Sequence, residues 1–159
     1  MTEQPFVPHD FDPPQELAAA GFRLEPLGPR HNESDHVAWM SSIEHIRATP
    51  GFQGDWPPPA GMDLAANLSD LRGHAKDFEE RTGFTYTVLD DTDQVIGCVY
   101  IYPSRTHPGV TDVRSWVSAE HAALDGPLHS AVRAWLAARW PFAEVHYRDP
   151  GESAKGQSS

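Results

Sequence analysis

Proline placement constrains this chain more than any other feature of its sequence. Fifteen prolines stand among 159 residues, and they are clustered. Pro5, Pro8, Pro13 and Pro14 open the chain, and Pro50, Pro57, Pro58 and Pro59 surround Trp56. Proline fixes φ and has no N–H, so neither stretch can be a helix interior or a central strand. The first is expected to be an extended arm over residues 1–20, and the second a stiff loop between elements. The small, polar run at 149–159 is expected to be a disordered tail. Regular structure must then lie in one domain over residues 21–148, a size that buries enough surface to fold without disulfides or metal.

Between the proline clusters the hydrophobic period is legible. Phe22, Leu24 and Leu27 mark a short strand stopped by Pro26 and Gly28-Pro29. Val37, Met40 and Ile43, with Trp39 and Ile46 beside them, predict one helix over 32–48. Leu64, Leu68, Leu71, Ala75 and Phe78 form one stripe of a second helix over 63–81, with Asp63 as N-cap and Gly83 as terminator. The period then changes to two. Phe84, Tyr86 and Val88 alternate with Thr85 and Thr87, the turn 90–93 follows, and 94–102 runs back as a hairpin strand. Gly97 within it marks a bulge or a close backbone approach. A further strand is expected over 110–118. A helix capped by Asp125 follows, burying Leu128, Val132, Trp135 and Leu136, and then a last strand over 142–147.

Charge narrows the partners. Twelve Lys and Arg against 23 Asp and Glu give a net charge of −11. A phosphate backbone or an anionic membrane surface requires the opposite surplus, so neither nucleic acid nor membrane is an expected partner. No apolar run approaches a membrane span, and Met1–Pro5 lacks the basic-then-apolar pattern of a secretory leader. The expected location is the cytoplasm. The single Cys98 excludes an internal disulfide and a multi-cysteine zinc site, and inside a strand it reads as a small buried residue. Nine histidines show no pair at metal-ligand spacing, so no metal is expected. Ser115 has no nucleophile-elbow motif around it.

The element order is strand, helix, helix, three strands, helix, strand. It resembles the GNAT superfamily of N-acyltransferases over about residues 21–147. The hairpin with Val95-Ile96-Gly97 looks like the family's second and third strands, and Val113-Arg114-Ser115-Trp116-Val117-Ser118 like its fourth. The segment from Gly126 to Leu136 looks like the helix that follows. The resemblance implies an α/β (α+β) fold, with a mixed, mostly antiparallel sheet and helices on both faces. It implies acetyl-CoA as donor and a small amine or a peptide amine as acceptor. It also implies that Val117 holds the pantetheine arm through its backbone. The pyrophosphate would lie on the turn into the last helix, with Ser118, His121 and Gly126 at the cofactor. Asp112 would be the general base, and Trp56, Tyr100 and Tyr102 would line the acceptor pocket. The residues also admit plainer roles. Asp112 reads equally as a partner of Arg114 or Arg105, Tyr100 and Tyr102 as half-buried sheet residues, and Trp56 as packing for its loop.

Two departures stand beside the resemblance. The family's phosphate turn is rich in glycine, so that backbone amides reach the anion. Here 118–127 keeps only Gly126, carries Glu120 and Asp125, and loses one amide at Pro127. The family also continues past its fifth strand with a helix and two strands, whereas twelve residues follow Tyr147 here. That leaves an exposed sheet edge, for which a second copy, a partner chain or the N-terminal arm folding back is the expected cover. Two functions therefore stand together: an N-acyltransferase, or a non-catalytic binding module on the same scaffold.

Overall fold

A computed structural model of the chain describes residues 5–53 and 56–149. The expected tail lies, apart from Asp149, outside the described residues. Six strands form one sheet in sequential order: β1 (Leu17–Ala19), β2 (Phe22–Pro26), β3 (Phe84–Leu89), β4 (Val95–Pro103), β5 (Val110–Val117) and β6 (Glu144–Tyr147). All neighbours are antiparallel except β5 and β6, which run parallel through the crossover helix α4 (Asp125–Arg139). Three helices cover the other face: α1 (Asn32–Met40), α2 (Ile43–Arg47) and α3 (Leu64–Glu80).

Strand alternation sorts the core into two clusters. Phe84, Tyr86, Val88, Val99, Ile101, Val113 and Val117 face α4, where they meet Leu128, Val132, Trp135 and Leu136. Leu89, Val95, Cys98 and Trp116 face Trp39 of α1, Ile46 of α2 and Leu71 of α3. Gly97 is where the sheet is tightest. A Cβ there would lie 2.4 Å from the Trp116 carbonyl oxygen on β5. The β3–β4 register also shifts beside it, with Val88 opposite Gly97 and Leu89 opposite Val95. Both readings of that glycine hold.

Several local expectations are corrected. The arm contains a strand, because residues 17–19 pair with β2. The arm also packs: Val7 is buried, Phe6 stacks on Phe84 and Phe142, Phe11 lies against Trp140, and Tyr86 donates to the Pro14 carbonyl at 2.6 Å. The helix expected over 32–48 is two helices, broken at Ser41 and Ser42. Val37 of α1 is 67% exposed, while Asp35 and Trp39 are inside. Asp63 does cap α3, accepting from the Ala66 amide at 2.8 Å. That helix ends on Arg81 in the left-handed region, φ 65°, two residues before Gly83. Leu64 of the expected stripe is exposed, and Asn67 is buried in its place.

That substitution of polar for apolar has a hydrogen-bonding cause. Asn67 accepts from Trp39 Nε1 at 3.0 Å and donates to Asn32 Oδ1 at 2.8 Å and Asp35 Oδ2 at 3.1 Å. Buried polar groups persist where they satisfy one another. This network joins α1 to α3.

Candidate functional site

The site follows from how β5 and β6 part. Their parallel register runs from Val110↔Glu144 to Val113↔Tyr147 and stops there. Beyond it, β5 continues to Val117 with no paired strand on that side among the described residues. The sheet thus opens between β5 and β6 at the end that leads into α4. The opening is bounded by Tyr147. Its ring lies 4.3 Å from that of His129, its hydroxyl is 2.5 Å from Ser115 Oγ, and its carbonyl accepts from Arg133 at 3.1 Å. Burial pushes the Tyr147 phenol above its ordinary range, so it stays a neutral hydrogen-bonding group.

Asp112 sits one residue before the last β5–β6 pair, Val113↔Tyr147, opposite Tyr102 on one side and His146 on the other. Its Oδ1 lies 3.5 Å from His146 Nδ1, and both side chains are at least half exposed. Among the described residues, the ion-pair partner of Asp112 is thus a histidine on the next strand, not Arg105 or Arg114. The Arg114 guanidinium lies over the rings of Phe52, at 4.6 Å, and Tyr100, at 5.3 Å, and donates to the Gly51 carbonyl.

The aromatic candidates are held by neighbours. Trp56 packs against Trp39 and Trp116, with ring centroids 5.1 Å and 6.1 Å apart, which fastens the proline-rich loop to the sheet. The Tyr100 hydroxyl accepts from Trp116 Nε1 at 3.1 Å. The Tyr102 hydroxyl donates to Asp77 Oδ2 at 2.9 Å and lies 3.0 Å from His74 Nδ1, which also meets Thr85. Burial raises both phenols and lowers His74, against the opposing pull of Asp77 and Asp70 on the imidazole. Burial likewise raises the Cys98 thiol, which leaves it unreactive.

The turn into α4 is wound as a 3-10 helix, Ala119–Leu124. Ser118 and His121 meet there, Oγ to Nδ1 at 2.9 Å. They share a cleft of about 320 Å³ with Glu33 and Val37 of α1, Gln94 and Glu120. Asp112, Trp56, Tyr100 and Tyr102 lie outside that cleft. Asp125 does not cap α4 through its side chain. Leu124 is the N-cap residue, and Asp125 instead pairs with His45 of α2, Oδ2 to Nε2 at 3.1 Å. Burial raises the Asp125 carboxyl, against the opposing pull of His45. No histidine, cysteine or carboxylate cluster able to hold a metal occurs among the described residues.

No family model matches the sequence, and no curated protein matches it. Solved structures do. The ribosomal-protein-S5-alanine acetyltransferase of Vibrio fischeri superposes with a TM-score of 0.68 at 12% identity, over 89% of this chain and 78% of that one. The chain has the GNAT acyltransferase fold. RimL, the ribosomal L7/L12 α-N-protein acetyltransferase solved with coenzyme A, gives a TM-score of 0.62 at 10% identity, covering 87% and 77% of the two chains. Spermidine N-acetyltransferase from Vibrio cholerae, solved with CoA and spermine, gives 0.60 at 13% identity, covering 88% and 78%. No helix among the described residues is long and apolar enough to cross a membrane.

Histidine 146 and the Ser42 and His45 contacts were not legible as site features. Both depend on register and on α2 packing, which the sequence pattern does not carry.

Proposed function

We propose that the chain is an N-acyltransferase that moves an acyl group from an acetyl-CoA-type thioester to a primary amine. One observation carries this reading: from Ser115 to Val117, β5 has no paired strand on its β6 side among the described residues. An extended donor arm laid along such an edge completes a strand's hydrogen bonds; Val117, the contact expected from the resemblance, is itself fully buried. Asp112, beside that edge and oriented by His146, is the group placed to receive the proton an attacking amine loses. The acceptor is a small amine or a peptide amine, and the acidic balance of −11 favours a cationic one. A second copy is the proposed cover for the outer edge of β6. Sedimentation at micromolar concentration tests this, and a clean monomer peak counts against it.

The second reading, a binding module without turnover, is favoured by the turn into α4, whose residues do not fit a pyrophosphate. Calorimetric titration with acetyl-CoA separates the two. Saturable binding with amine-dependent thiol release supports the enzyme, and ligand at 100-fold its Kd should add about 2.7 kcal/mol to stability. Silence at millimolar acetyl-CoA refutes it.

A further inference from the structure

Three amides of the turn at 118–127 already have partners. The Ala119 amide donates to Ser42 Oγ at 2.8 Å, the His121 amide to the Ser118 carbonyl at 2.9 Å, and the Asp125 amide to the Ala122 carbonyl. Pro127 has no amide to offer. Gly126 is not required by packing, since a Cβ there would meet no protein atom within 4 Å. The positive end of α4 already has a carboxylate, Asp125, in its first turn, and Glu120 stands exposed just before it. Two contacts hold this arrangement, Ser42 just before α2 to Ala119 and His45 of α2 to Asp125.

A pyrophosphate is bound by free amides and a positive field. Here it would have to displace Ser42 from an amide and face two carboxylates. We propose that this turn takes no nucleotide pyrophosphate, and that the thioester donor is recognised by its uncharged pantetheine arm on the β5 edge, its nucleotide left in solvent. The second half rests on the acyl-transfer reading above. The donor class is then any acyl-pantetheine thioester, with acetyl-CoA only one member.

The test titrates the full chain with three probes: acetyl-CoA, acetyl-pantetheine and ADP. The expected result is a Kd for the two thioesters within about threefold, with no saturable heat from millimolar ADP. Acetyl-CoA binding about tenfold tighter than acetyl-pantetheine, or saturable ADP binding, overturns the proposal. If both thioesters and ADP are silent, the acyl-transfer reading falls while the closure of the turn stands. Charge removal gives an independent arm. Glu120→Gln with Asp125→Asn should tighten acetyl-CoA by about threefold and leave acetyl-pantetheine unchanged. An equal effect on both donors, or none, refutes the electrostatic argument. Glu120→Gln alone, at an exposed position, serves if the double variant does not fold.

Discussion

Asp35→Asn should make this protein more stable at neutral pH. Asp35 is 4% exposed, between α1 and α3, and its donor is Asn67 Nδ2 at 3.1 Å. Burial is the main reason its carboxyl is pushed from 3.8 up to about 6; the Asn67 hydrogen bond and His36 oppose the rise, and Asp70 adds to it. Cys98 and Tyr100, on the sheet below, both sense the Asp35 charge. An acid whose pKa is raised on folding contributes stability that is fully present below its unfolded value and is lost as pH rises through the folded one. The shift of about two units corresponds to about 3 kcal/mol over the whole window, with about half of it falling between pH 5 and 8. The amide cannot ionise and keeps the shape, so it avoids the loss. Urea denaturation followed by tryptophan fluorescence at pH 5 and pH 8 reads the effect. The variant's advantage should grow by about 1.4 kcal/mol across that interval. An advantage independent of pH, or a variant less stable at pH 8, would show that the network needs the carboxylate as an anion.

Other expectations are shorter. Gly97→Ala drives a methyl into the Trp116 carbonyl and should cost about 3 kcal/mol, read from the denaturation midpoint. Tyr147→Phe strands Ser115 Oγ and should cost about 1 kcal/mol, read from the denaturation midpoint. Asp112→Asn, at a half-exposed position, should leave the thermal midpoint unchanged and lower kcat by about a hundredfold or more. Unchanged turnover would remove Asp112 from the chemistry.

The elements most readable from sequence were those whose apolar residues do the packing. In α4, Leu128, Val132, Trp135 and Leu136 are buried as their spacing requires, and the β3–β4 hairpin follows its period of two. The failures share a cause. On α1 and α3, Asp35 and Asn67 turn inward beside Trp39 and Leu71, and counting apolar residues cannot detect polar ones that bury one another. Strand β1 has no alternation of its own and exists through its pairing with β2. At the site, Asp112 could be placed on its strand, but its partner His146 follows only from the parallel register across the α4 crossover. The composition of the turn at 118–127 was visible, yet its closure depends on Ser42, some 77 positions away.

The packed arm has a consequence for synthesis. Phe6 and Phe11 are made first, yet they rest on Phe142 and Trp140, which are made more than a hundred residues later. Until residues 140–142 have left the ribosome, Phe11 lacks Trp140 and Phe6 has Phe84 but not Phe142. The arm is therefore a late, long-range contact, slow to form by topology. A nascent chain stalled before residue 140 would display those rings to chaperones, and arm docking would report a completed fold.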